Sequence, residues 1–151
     1  MNDHEIIETL LNNYKRIKAN IEVELNTRYP EYSLDSISFI DISTKGGDNR
    51  TSSIERYVIE KYNIPLKLQQ QIKIRNIIRA AYDSLTRRQK EIVRERYFEK
   101  KTYASIGRGM YSHQTTISRE IREYIIPALE EAGILTAWEI YQEIRSEEED
   151  G

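Results

Sequence analysis

A polar and basic stretch in the second half of the sequence has the composition of a surface that reads DNA bases. Arginine can bind guanine through O6 and N7, glutamine can bind adenine through two hydrogen bonds, and threonine methyl groups contact thymine. Ile117, Ile121 and Ile125 recur among the polar residues at helical spacing, which places an apolar face opposite a polar one. The predicted base contacts are His113, Gln114, Thr115, Thr116, Ser118, Arg119 and Arg122.

Residues that can bind the DNA backbone precede this stretch. Lysine and arginine side chains neutralise phosphates, and such contacts supply most of the affinity that does not depend on base sequence. The predicted phosphate contacts are Lys100, Lys101, Thr102, Tyr103 and Arg108. The structural alternative for a basic stretch of this kind is a solvated helix face.

The charge of the chain is distributed unevenly. The 151 residues include 25 acidic and 23 basic side chains, a formal net charge of -2. Residues 85–126 hold 10 basic and 5 acidic side chains, a net +5, whereas residues 127–151 hold 1 and 8, a net -7. Charges are screened over about 8 Å at physiological salt, so a local basic surface can attract a polyanion although the whole chain is acidic.

Three short helices are predicted within residues 85–126. Thr86 can cap the first, Thr102 can cap the second, and a turn around Tyr111 and Ser112 leads into the third. The apolar residues of the first two helices are Leu85, Ile92, Val93 and Tyr97, then Tyr103, Ile106 and Met110. A short helix, a tight turn and a second helix with a polar, basic face form the helix-turn-helix layout, in which the second helix lies in the major groove.

The same residues carry a family resemblance. Leu85-Thr86 through Tyr97-Phe98, then Thr102-Tyr103-Ala104-Ser105-Ile106 and Thr116-Ile117-Ser118-Arg119, resemble the helix-turn-helix of region 4 of bacterial sigma factors, which binds the promoter -35 element. With its N-terminal helix and serine-rich loop, the whole chain resembles the ArpU/RinA-like phage late transcriptional regulators. The resemblance implies that the base contacts come from the third helix.

The sequence departs from the sigma-like pattern around the turn. Gly107 occupies a position where alanine is usual, Gly109 follows it, and Tyr111 replaces the usual turn glycine. Counting back from Ile117 places His113 at the helix cap. Two glycines in so short a helix cost roughly 1 kcal/mol each relative to alanine, so tertiary contacts must hold this helix in place.

The remaining segments predict further helices. Residues 1–84 form an N-terminal helical region with a loop at 31–50, residues 85–126 the helix-turn-helix module, and residues 127–151 a C-terminal helix with an acidic tail. Apolar residues of the first 28 positions recur at helical spacing, and so do those from Ile54 to Tyr62 and from Leu66 to Leu85. Pro127 predicts a kink or short break after the third helix of the module.

Several classes of function are disfavoured by composition. The chain has no cysteine and two widely separated histidines, His4 and His113, so it lacks material for a cysteine-ligated metal site or a Ser/His/Asp triad. No apolar run approaches the roughly 18 residues that span a bilayer, and the N-terminus is acidic where a signal peptide is basic. We therefore expect no enzymatic activity, no cofactor or metal, no membrane contact, and a cytoplasmic location.

Together these patterns predict an all-α protein that binds double-stranded DNA and regulates transcription. The resemblance implies a phage or prophage late-gene activator that contacts RNA polymerase or a sigma factor of its bacterial host. The N-terminal helices are the candidate surface for that contact or for a homodimer. Two alternatives remain open: a DNA-packaging protein such as a small terminase subunit, which would assemble into a ring, and a sigma-like RNA polymerase-binding module without DNA specificity.

Overall fold

The computed structural model describes residues 1–28 and 64–150. These residues form helices and contain no strand, which confirms the predicted all-α fold. The helices are α1 (Asp3–Arg28), α2 (Leu66–Asp83), α3 (Arg87–Val93), α4 (Tyr103–Gly109), α5 (Gln114–Glu120), α6 (Ile126–Glu131) and α7 (Leu135–Asp150). The predicted loop at 31–50 and the predicted helix from Ile54 to Tyr62 lie outside the described residues.

Helix α1 buries the apolar stripe that its sequence predicts. Ile7, Leu11 and Ile21 are fully buried, and Tyr14 and Leu25 are nearly so. The first half of the helix packs on the main core, while Ile21 and Leu25 form a smaller cluster with residues at the start of α2. Each fully buried isoleucine or leucine contributes about 1.5–3 kcal/mol relative to an exposed one, so this stripe fixes α1 against α2.

One hydrophobic core joins all three segments predicted from the sequence. It includes Ile7 of α1, Ile78 of α2, Ile92 of α3, Ile117 of α5 and Ile144 of α7, all buried. Helix α7 packs along α2, and α1 contacts α2, α6, α7 and the segment Arg94–Phe98 that follows α3. The helices before and after residues 85–126 therefore pack against α3 and α5 through this core, while α5 keeps one side exposed to solvent.

The chain stays helical at Pro127. Five residues in π-helical conformation, Ile121–Ile125, join α5 directly to α6, and Pro127 lies in the first turn of α6. The amide of Ile126 donates to the carbonyl of Ile121, five residues earlier. Because proline has no N–H and crowds the preceding turn, a wider turn before it accommodates the ring. The expected break is thus replaced by a π turn.

A second π turn, Arg94–Phe98, continues α3. It places Tyr97 in the core, where the tyrosine hydroxyl donates a 2.8 Å hydrogen bond to Glu8 Oε2 of α1.

None of the helices within residues 1–28 and 64–150 is long and apolar enough to cross a membrane.

Candidate nucleic-acid interface

Helix α3 begins with a capping box. Thr86 Oγ1 accepts from the amide of Gln89 at 3.2 Å, and Gln89 Oε1 accepts from the amide of Thr86 at 3.0 Å. These two bonds satisfy amides that have no partner within the helix. The cap fixes where α3 starts, and it leaves Arg87 and Arg88 exposed in the first turn.

Helix α4 is capped by Thr102, as the sequence predicts. Its Oγ1 accepts from the amide of Ser105 at 3.1 Å, while Ile106 and Gly107 are buried. The hydroxyl hydrogen of Thr102 is not used in this bond, and the residue is exposed. Thr102 therefore keeps a donor that a phosphate oxygen could accept, and its predicted phosphate contact stays a prediction.

Gly107 is where α4 and the turn come closest. A Cβ atom at this residue would lie 2.4 Å from the backbone oxygen of Ser112 and 3.3 Å from the amide nitrogen of Gln114. The amide of Ser112 also donates to the carbonyl of Gly107 at 2.8 Å. Because Gly107 has no side chain, α4 can lie this close to the turn and to the start of α5. Gly109, in contrast, faces open space.

Tyr111 forms the bend of the turn in a conformation that favours glycine. Its φ is +57°, in the left-handed region, and its side chain is 98% exposed. The left-handed conformation costs a residue with a Cβ roughly 1–2 kcal/mol. This geometry agrees with the sequence observation that tyrosine replaces a turn glycine here.

His113 caps α5, at the position counted back from Ile117. Its backbone is extended, and its Nδ1 accepts from the amide of Thr115 at 3.2 Å and lies 2.8 Å from Thr115 Oγ1. Both side chains are exposed. The bond fixes the first turn of α5, so the predicted base contacts follow from a defined helix start.

Helix α5 and the π turn after it have one buried and one solvent-facing side. Ile117, Ile121 and Ile125 are buried, as expected. The predicted base contacts His113, Gln114, Thr115, Arg119 and Arg122 are exposed, and Thr116 and Ser118 are partly exposed. The structure therefore brings all seven predicted base contacts to α5, its cap and the π turn that follows it, with none of them fully buried.

Two of these side chains are uncommitted. Within the described part of the chain, neither Gln114 nor Arg119 has a side-chain hydrogen bond or ion pair. Arg122 makes one long contact, 3.7 Å from Nη2 to Glu123 Oε1, between two exposed side chains. Exposed pairs of this kind contribute about 0–1 kcal/mol, so Arg122 can exchange this partner at little cost.

An ion pair that residue type and spacing do not predict links α5 to α3. Arg88 in the first turn of α3 donates through Nε and Nη2 to both carboxylate oxygens of Glu120, each at 3.2 Å. Its Nη2 also lies 3.2 Å from Ser112 Oγ in the turn. One guanidinium thus joins α3, the turn and α5. No periodicity relates residues 32 positions apart, so the sequence carried no signal for this pair.

The two predicted phosphate-binding lysines already have partners within the protein. Lys100 Nζ donates to the carbonyl and side-chain oxygens of Asn12 in α1, at 3.0 and 2.8 Å, and desolvation lowers the pKa of Lys100. Lys101 Nζ donates to Glu95 Oε1 at 2.9 Å, a hydrogen bond that raises the pKa of Lys101. A DNA phosphate that binds either ammonium group would have to share it with these acceptors or replace them.

The other predicted phosphate contacts differ in how available they are. The guanidinium of Arg96 lies 3.9 Å from the ring centre of Tyr103, so one face of that ring is covered. Arg108 is exposed and makes no hydrogen bond or ion pair with any described residue. Arg87, which the sequence analysis did not select, is equally exposed and likewise unpaired among residues 1–28 and 64–150. Arg87 and Arg108 are therefore the most available cations beside α5.

Among the described residues, no group of three or more histidine, aspartate or glutamate side chains is placed to hold a metal ion.

The chain matches no protein-family model, no curated protein and no solved structure. The function is therefore inferred from the geometry of α3, α4 and α5 and from the chemistry of their exposed side chains.

Proposed function

We propose that the protein is a sequence-specific, double-stranded DNA-binding regulator of transcription, with α5 as the helix that enters the major groove. The observation that carries the proposal is the exposed face of α5. Arg119, two residues after the buried Ile117, points away from the core, and Gln114 is exposed in the first turn of the helix. Neither side chain has a partner among the described residues. Side chains of these types form two-point contacts with adenine and guanine.

The support for α5 makes this face suitable for recognition. The His113 cap fixes the start of the helix, the buried Ile117 and Ile121 hold it against the core, and the Arg88–Glu120 pair links it to α3. A helix held in one orientation loses less conformational freedom on binding than a mobile one, which favours affinity for a specific site.

Phosphate binding is assigned chiefly to Arg87 and Arg108. Both are exposed, charged and unpaired within the described ranges, and they come from the two helices that precede α5. In a helix-turn-helix, the helix before the recognition helix crosses the DNA backbone. Thr102, Tyr103, Lys100 and Lys101 remain predicted contacts, and the two lysines would first exchange their present partners.

The biological setting follows from the family resemblance. We infer a phage or prophage late-gene activator that works in the cytoplasm of a bacterial host and contacts RNA polymerase or a sigma factor. The exposed surface of α1 is the candidate for that contact or for a homodimer, because α5 is engaged with DNA. No enzymatic step, cofactor or metal is part of this proposal.

Selection of bound duplexes from a random DNA library, with the full-length protein, tests the proposal. We expect enrichment of one defined site, and binding to it at least about 10³-fold tighter than to random duplexes, the lower end of the range for specific regulators. Weak binding without an enriched site would contradict sequence-specific recognition. Failure to retain any duplex at low salt would contradict DNA binding altogether.

A further inference from the structure

Two residues other than glycine have a left-handed backbone in the described part of the chain. They are Lys100, with φ of +59°, and Tyr111, with φ of +57°. Glycine would adopt either conformation without the steric cost of a Cβ atom. Each of these positions therefore needs a reason for its side chain.

The side chain of Lys100 has a structural reason. Its ammonium group bonds two oxygen atoms of Asn12 and so attaches the end of the π turn to α1. A glycine at this position would relieve the backbone and lose both bonds. The fold itself accounts for Lys100.

The side chain of Tyr111 has no such role in the fold. It is 98% exposed and makes no hydrogen bond, ring contact or cation contact with any residue in the described ranges. A large aromatic ring that stays in contact with water also gains none of the stabilisation that burial gives such a side chain. Strained positions of this kind are found where a side chain serves binding.

The surroundings of Tyr111 indicate what it binds. The ring borders an open concavity between α4 and α5, whose lining includes Arg108, Ser112, His113 and Gln114. This lining has no carboxylate, and its guanidinium, that of Arg108, has no partner among residues 1–28 and 64–150. A surface with this charge attracts a polyanion more strongly than it attracts a basic or neutral protein surface.

We propose that Tyr111 and Arg108 form a clamp on the sugar-phosphate backbone of the DNA strand next to the groove that α5 enters. The tyrosine ring packs against a deoxyribose, and the guanidinium binds an adjacent phosphate. This inference rests on the proposed function, because it assumes that α5 lies in the major groove. In that orientation the turn between α4 and α5 lies beside the sugar-phosphate backbone of one DNA strand.

The test compares four variants on the selected site and on a random duplex of equal length. Tyr111→Gly should raise the melting temperature, since it relieves the backbone, yet weaken binding to both duplexes about five- to tenfold, the lower end of the effect of aromatic contacts with nucleic acids. Tyr111→Phe should keep most of the affinity. Tyr124→Ala, which removes another exposed tyrosine of the same module, should bind like the wild type.

Salt dependence separates the two members of the clamp. Arg108→Gln should reduce the slope of log affinity against log salt by about one, whereas Tyr111→Gly should leave the slope unchanged. A Tyr111→Gly variant that binds both duplexes as tightly as the wild type would overturn the clamp while leaving the proposed function intact. A Tyr111→Gly variant that loses self-association without losing affinity would assign the ring to a protein contact instead. If the wild type binds no duplex, both proposals fail.

Discussion

The guanidinium of Arg88 contacts both carboxylate oxygens of Glu120 at 3.2 Å, and it thereby connects the first turn of α3 to the last turn of α5. The carboxylate is the more buried partner, with 27% of its side chain exposed against 45% for the arginine. The pair links α5 to α3, in addition to the burial of Ile117 and Ile121 in the core.

A double-mutant cycle should measure this connection. Arg88→Ala and Glu120→Ala are each expected to lower the free energy of unfolding, with a coupling of about 0.2–1 kcal/mol, as for other partly exposed ion pairs. Urea unfolding followed by the fluorescence of Trp138, the single tryptophan, provides the readout. Arg87→Ala is the matched control, because its coupling to Glu120 should be near zero. A coupling for Arg88 no larger than for Arg87 would contradict the observed pair.

The two glycines of α4 should respond in opposite ways to alanine. Gly107→Ala places a Cβ against the backbone oxygen of Ser112, and the resulting shift is expected to cost about 1–3 kcal/mol of stability. Gly109→Ala meets open space and should stabilise the protein by up to about 1 kcal/mol. Thermal unfolding of both variants checks the difference. Equal destabilisation by the two substitutions would show that α4 does not approach the turn as described.

Alkaline pH should weaken the contact between α1 and the π turn Arg94–Phe98. Burial, together with the hydrogen bond to Glu8, raises the pKa of Tyr97 well above its ordinary value of about 10. The folded protein therefore keeps the proton that the unfolded chain releases, so stability is retained below about pH 10 and decreases as pH rises further. Tyr97→Phe should lose about 1 kcal/mol at pH 7 but show a shallower decrease above pH 10. Parallel stability curves for the two proteins would be inconsistent with a buried tyrosine proton.

The sequence was sufficient to predict the elements that local chemistry determines. The stripe of α1, the threonine caps of α3 and α4 and the His113 cap of α5 follow from residue type and spacing, because each involves neighbours within one or two helical turns. The polar face of α5 could be predicted for the same reason. Once Ile117 and Ile121 are assigned to the core, the direction of Arg119 is determined by helical geometry.

Contacts between distant residues could not be predicted in this way. Lys100 was selected as a phosphate contact because of its charge, but its ammonium group bonds Asn12, 88 positions away. Glu120 was absent from the predicted site although it orients α5 through Arg88. The π turn before Pro127 also depends on tertiary packing, since the buried Ile125 and Ile126 keep the chain helical where local rules predict a break.

The most direct test of the account measures the affinity of Arg119→Ala for the selected DNA site and for single-base variants of that site. If Arg119 binds a guanine, the variant should lose about 1–3 kcal/mol of specific binding, with relaxed preference at one base pair, and Arg119→Lys should recover only part of the loss. Arg16→Ala, which removes the same charge from the exposed surface of α1, should leave the preference at every base pair unchanged. Unchanged melting temperatures exclude unfolding as the cause. Equal weakening on every duplex would make Arg119 a phosphate contact, and unchanged binding by Arg119→Ala would contradict the assignment of α5 as the recognition helix.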